Sequence, residues 1–146
     1  MTPPANVNEG PFKIGDSVKF DGGLVGKVTK IQDVTSNDGG FPPDSGNRYV
    51  GVQIDVTNSD TTSTVFTPLL QAELKDPTGK TYDATPLSGY RPEAPNGDIK
   101  PQQTVSGVVV FEIPGNYSFS AGTAAGFTFV FRGGLGADEK VEIQLG

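Results

Sequence analysis

Residues 100–114, KPQQTVSGVVVFEIP, decide how this chain is read. A polar, Pro-led turn gives way to residues 105–113, a run dense in β-branched side chains, and Pro114 stops it. Val105, Gly107, Val109, Phe111 and Ile113 share one parity, so that face offers apolar bulk at four of its five positions. The opposite parity, Ser106, Val108, Val110 and Glu112, is apolar only in its middle. This pattern predicts a central strand with one face in the core and the other partly covered. Pro101 and Pro114 bracket it because proline donates nothing to a β-ladder.

The neighbouring stretches supply partners for that strand. Residues 48–57 alternate most cleanly: Val50, Val52, Ile54 and Val56 face one way, and Tyr49, Gly51, Gln53 and Asp55 the other. Such a strand has one buried and one solvated face. In residues 24–34, Val25 and Ile31 share a parity while Val28 and Val34 have the other, which predicts a bulge or twist near Thr29. Residues 17–20 form a short first strand. In residues 70–75, Leu70, Ala72 and Leu74 alternate with Gln71, Glu73 and Lys75. Asp76-Pro77-Thr78-Gly79 then carries a type I turn signature, and residues 80–84 return as the hairpin partner. Phe127, Phe129 and Phe131 load one face of a later strand, and Val141, Ile143 and Leu145 mark the last. Residues 35–47 and 85–104 are the long loops. The sum is an all-β chain of about eight strands without a convincing helix, an antiparallel β-sandwich.

Composition narrows the function. The 146 residues include 20 Gly and 12 Pro, and the formal net charge is −6. Residues 1–14 read as a flexible lead or tether and residues 15–146 as one sandwich domain. No two of the 11 Lys and Arg adjoin, which argues against nucleic-acid binding and against an anionic membrane surface. Cysteine and histidine are both absent, which excludes thiolate zinc sites, Cys–His nucleophiles and Ser–His–Asp triads together. No apolar run approaches a membrane span, and no signal-peptide core follows Met1. The chain alone reads as cytosolic, or as a mature segment without its targeting sequence.

Three pieces, taken in order, resemble one bacterial family: residues 47–60, NRYVGVQIDVTNSD, residues 70–84, LQAELKDPTGKTYDA, and residues 99–115, IKPQQTVSGVVVFEIPG. They resemble the immunoglobulin-like extracytoplasmic domain of uncharacterised bacterial lipoproteins, a domain-of-unknown-function family. Its pattern is matched by Val56 and Asn58, then Asp76, Gly79 and Tyr82, then Pro101, Gly107, Val109, Phe111, Ile113 and Pro114. Their order and spacing are also similar to a secreted immunoprotective antigen of mycobacteria. Gln102 departs from the pattern, standing where the family has the Gly of a Pro-Gly turn. The resemblance implies an immunoglobulin-like sandwich in a secreted or envelope-anchored protein, and it carries over no catalytic residue.

The remaining candidates are few. Asp33, Asn37, Asp38 and Asp44 bring oxygen ligands suited to calcium, but without the EF-hand order, and turn chemistry accounts for them equally. Asp55, Glu73 and Glu112 are the carboxylates a glycosidase reading would need, on strand positions where solvated carboxylates are ordinary. Phe41, Tyr90 and Arg91 sit in the long loops, and Tyr and Arg are frequent interface anchors. The expectation is a non-enzymatic module without a cofactor, recognising a protein or cell-envelope component through its loops. The alternative is a carbohydrate- or calcium-binding accessory domain. Oligomeric state is left open by the sequence.

Overall fold

The computed structural model describes residues 5–6, 12–20, 23–34, 41–85, 97–117, 123–132 and 140–146. The longest elements are three strands in one sheet: β4 (Leu24–Val34), β5 (Asn47–Asn58) and β10 (Thr104–Pro114). With β1 (Ala5–Asn6) and β3 (Ser17–Lys19) they give the order β1-β3-β4-β5-β10. The second sheet has the order β2-β12-β11-β7-β8. It is built from β2 (Phe12–Lys13), β7 (Ala72–Lys75), β8 (Thr81–Asp83), β11 (Thr128–Arg132) and β12 (Lys140–Gln144). A small ribbon pairs β6 (Thr64–Phe66) with β9 (Gly97–Ile99). One helical turn, α1 (Pro68–Gln71), leads into β7. Pairing is antiparallel except for β1 and β2, which add in parallel to β3 and β12. The molecule is an antiparallel β-sandwich.

Alternation places the core as expected. Val50, Val52, Ile54 and Val56 of β5, and Val109, Phe111 and Ile113 of β10, meet Phe129, Phe131, Val141 and Ile143 of the other sheet in one buried cluster. Phe111 and Phe129 touch edge-on across the layers, centroids 6.2 Å apart. Phe131 stacks on Phe20 and Phe66 at 5.4 and 5.3 Å. Its ring needs Gly26, since a Cβ there would lie 2.6 Å from Cζ of Phe131. The β4 bulge falls at Thr29: Val28 registers with Ile54 and Lys30 with Gln53. The extra residue lets Val28 and Ile31, three apart, both reach the core.

Several sequence expectations need correction. Twelve strands are described instead of about eight, and the surplus comprises two- and three-residue pieces too short to show alternation. The stretch expected to be central, β10, lies at the edge of its sheet, and β5 holds the inner position. The outer face of β5 is not solvated throughout: Tyr49 is buried and clusters with Val34, Val108 and Val110. Its hydroxyl donates to the Phe41 carbonyl at 2.8 Å, so the incoming loop closes over that half of the sheet. The strand expected over residues 70–75 starts only at Ala72, because Pro68 opens a helical turn. That turn buries Gln71, whose Oε1 accepts the Thr67 N–H at 2.8 Å while Nε2 donates to the Arg132 carbonyl. Residues 85–104 are not wholly irregular, since β9 lies within them. Within the stretch expected as a lead, β1 and β2 join the two sheets, and Phe12 is buried.

Candidate functional site

Two buried polar side chains organise opposite ends of the sandwich. At one end the Asp76 carboxylate gathers five donors. Oδ1 accepts the Thr78 N–H at 2.9 Å, the Thr78 hydroxyl at 2.6 Å and the Lys80 N–H at 3.0 Å. Oδ2 accepts the hydroxyls of Tyr82 at 2.8 Å and Tyr117 at 3.3 Å. The predicted turn is present, closed by the Gly79 N–H on the Asp76 carbonyl at 2.9 Å. Tyr117 extends the junction, since its ring meets Phe127 edge-on and its carbonyl accepts Nη1 of Arg48 from β5. Burial alone would raise the Asp76 pKa, but the bonds from Thr78, Tyr82 and Lys80 outweigh it and hold it at about 2. Burial, and then the bond to Asp76, push Tyr82 up to about 12. A carboxylate so saturated with donors is a poor proton acceptor near neutral pH.

At the other end the Asn58 amide uses both kinds of hydrogen-bonding group. Nδ2 donates to the carbonyls of Thr62 at 2.8 Å and Ile99 at 2.9 Å, and Oδ1 accepts the Asp60 N–H at 2.9 Å. The Asn58 carbonyl also accepts the Gln102 N–H at 2.7 Å. Gln102 follows Pro101 with φ at 64°, the left-handed conformation of the third residue in a type II turn. A conformation that glycine adopts freely is thus held by a side chain that ordinarily avoids it. Gln102 Nε2 compensates by donating to the carbonyls of Ser59 and Asp60, both at 3.2 Å.

The carboxylates of the glycosidase reading do not converge. Asp55 accepts the Ser106 hydroxyl at 2.6 Å, Glu73 pairs with Arg132 at 2.8 Å, and Glu112 accepts the Asp44 N–H at 3.0 Å and Asn47 Nδ2 at 2.8 Å. Glu112 registers with Tyr49, six residues along β5 from Asp55, a separation of roughly 20 Å. Glycosidase pairs stand within roughly 5–10 Å of each other. Glu73 belongs to the other sheet.

Of the calcium candidates, Asp33 forms an ion pair with Arg48, and the backbone N–H of Asp44 is bound to Glu112. Asn37 and Asp38 lie outside the described residues, as do Tyr90 and Arg91. Among the described residues no three acidic, His or Cys side chains form a metal-holding group. Phe41 is 64% exposed while its carbonyl holds Tyr49, so its ring stands outward from an anchored backbone. Sequence reasoning missed the burial of Tyr49 and Gln71, and while it placed Asp76 at the start of a turn, it gave the side chains of Asn58 and Asp76 no bracing role. The signal for those two was their place directly after an alternating strand, where a short polar side chain can cap the backbone that turns away.

The sequence profile of a family described as a domain of unknown function, DUF4352, matches residues 12–122. This chain belongs to the DUF4352 family. In this DUF4352 chain the motif residues are scaffold: Asn58 and Asp76 fasten turns, and Val109, Phe111 and Ile113 fill the core. The curated proteins contain no match to the sequence. Among solved structures, the yjhA protein from Bacillus subtilis is similar with a TM-score of 0.69 and 16% identity, over 93% of this chain and 100% of that one. The secreted protein MPT63 from Mycobacterium tuberculosis is similar with a TM-score of 0.64 and 14% identity, over 98% and 97%. A candidate lipoprotein, ycdA, from Bacillus subtilis subsp. subtilis gives 0.61 and 10% over 85% of this chain, which spans only 37% of that protein. At such identities the likeness concerns the fold. Among the described residues no helix is long and apolar enough to cross a membrane.

Proposed function

We propose that this DUF4352 domain is a non-catalytic, immunoglobulin-like module that works outside the cytoplasm. Its loops recognise a protein or another component of the cell envelope. The observation that carries this reading is the anchoring of the long connection after β8. Its first residue, Thr85, donates its N–H to the Val110 carbonyl of β10 at 2.8 Å, and its far side enters the ribbon of β9 with β6. A loop held at both ends by a rigid frame is a common way to present contact residues. Tyr90 and Arg91 are the proposed contacts, with Phe41 on the loop before β5. The main polar junctions are occupied in bracing the frame, which favours recognition over chemistry. The secreted and lipoprotein descriptions of two similar structures support the location.

Cosedimentation with purified cell-envelope preparations tests the reading. The native domain is expected to pellet with the envelope. The double variant Tyr90→Ala/Arg91→Ala is expected to stay in solution while keeping its stability within about 0.5 kcal/mol. Undiminished cosedimentation of the variant overturns the loop assignment, and failure of the native domain to pellet overturns the envelope reading.

A further inference from the structure

The lysines are scattered in sequence, yet the fold gathers three of them. Lys19 on β3 and Lys27 on β4 lie diagonally across one antiparallel pair, Lys19 opposite Val25 and Lys27 opposite Ser17. Lys27 and Lys30 are three apart, a spacing that puts side chains on opposite faces of a regular strand. The Thr29 bulge reverses this. Lys27 registers with Asp55 and Lys30 with Gln53, two residues apart on β5 and on its outer face. The three Cα positions therefore step at roughly 7–8 Å along one surface. Lys19 and Lys30 are exposed and Lys27 is half-buried. Among the described residues none of the three forms an ion pair, whereas Arg48, Lys75 and Arg132 each have a carboxylate partner.

The surroundings suit an extended anionic chain. Ser17 and the Thr57–Thr104 hydroxyl pair lie in the same cross-strand rows; Thr57 and Thr104 bond each other at 2.7 Å, which leaves one of their two O–H groups and that of Ser17 to donate outward. Asp55 is the carboxylate opposite Lys27, and it is occupied by the Ser106 hydroxyl at 2.6 Å. A net charge of −6 repels anions at long range, but salt screens that field within about 10 Å, leaving the local ammonium groups to decide contact. We propose that the Lys19–Lys27–Lys30 stripe is a docking surface for a linear phosphodiester polymer of the cell envelope. Lysine binds phosphate as a compact point charge, and three in file match a chain that carries one charge per repeat. Those rows hold no aromatic ring on which a nucleobase would stack, which disfavours nucleic acid as the occupant. The inference rests on the domain being an envelope-binding module, and it moves recognition from the loops to a sheet face.

The test is calorimetric titration of the domain with purified poly(glycerol phosphate) at low and moderate salt. The variant Lys19→Gln/Lys27→Gln/Lys30→Gln is expected to bind about a hundredfold more weakly, roughly fivefold per ammonium group. The slope of log affinity on log salt should fall in magnitude by about 2. A control, Lys13→Gln/Lys100→Gln/Lys140→Gln, removes the same charge elsewhere and is expected to bind within about threefold of the native domain, since distant charges are screened. Thermal melts of both variants check that the fold is kept. Absence of binding by the native domain, or equal loss in the control, overturns the stripe. A single-stranded DNA oligonucleotide bound as tightly overturns the envelope polymer as the occupant. If the stripe variant still cosediments with envelope preparations and the Tyr90→Ala/Arg91→Ala variant does not, the stripe fails while the loop reading stands. The converse result supports the stripe and removes the loop.

Discussion

The two ends of the sandwich are fastened by the same device in two electrostatic forms. At the Asn58 end a neutral amide donates twice and accepts once, joining the end of β5 to β9 and to the segment that follows β5. At the Asp76 end an ionised carboxylate only accepts, and it draws in the β7–β8 turn and Tyr117. Either side chain, itself buried, satisfies backbone groups that the turning chain takes away from the ladders. The difference lies in what each junction depends on. An amide does not titrate, so the Asn58 junction holds at any pH the protein survives. The Asp76 junction is strongest when charged, and its strength is therefore linked to proton concentration.

The sharpest way to break this comparison is Asn58→Ala. It leaves the buried Ile99 carbonyl, and the part-buried Thr62 carbonyl and Asp60 N–H, without their partner, and is expected to cost about 3 kcal/mol. Urea unfolding at neutral and acid pH should return the same loss. A loss that shrinks with acid would show that this end also contains a titrating group.

Asp76→Asn comes next, at about 2 kcal/mol near neutral pH, because the donors then face an amide in place of a charge. The folded pKa of about 2 lies below the ordinary 3.8, so the carboxylate's extra stabilisation is complete above pH 4 and fades as pH falls towards 2. The gap between native protein and variant should narrow over that window. A constant gap between pH 7 and pH 2 would mean that the ionised form is not what the junction prefers.

The smallest effect concerns Gln102. Replacing it by Ala keeps the positive φ and removes both side-chain bonds, with an expected cost of about 1 kcal/mol. Replacing it by Gly removes the bonds and the backbone strain together, so stability should stay within about 0.5 kcal/mol of native. Equal melting temperatures for the two variants would show that the left-handed turn carries no strain.

The sequence was legible where a side chain's direction follows from strand parity. The core faces of β5, β10, β11 and β12 were readable for that reason, and so was the bulge, because Val28 and Ile31 could not both be inward without it. Legibility failed where burial is conferred from outside the strand. Tyr49 has the parity of a solvated residue and is buried because the loop at Phe41 bends over it. Gln71 looks like a surface position, but Pro68 coils the chain just before it and turns its amide inward. The pairing of β6 with β9 joins segments more than thirty residues apart, and their three-residue strands have no pattern to announce it. On the functional side, spacing in sequence hid the grouping of Lys19, Lys27 and Lys30, because their proximity comes from hairpin register and one extra residue.

That extra residue at Thr29 makes the length of β4 a coded quantity. A deletion of one residue there would remove the step between Val28 and Lys30, sending either Val28 or Ile31 out of the core and parting Lys27 from Lys30 at the same stroke. Point substitutions can alter the inside or the outside of this strand separately, but a change of length cannot. Lineages that drift in composition along β4 are therefore free to tune its surface, whereas those that gain or lose a residue must rebuild both faces together.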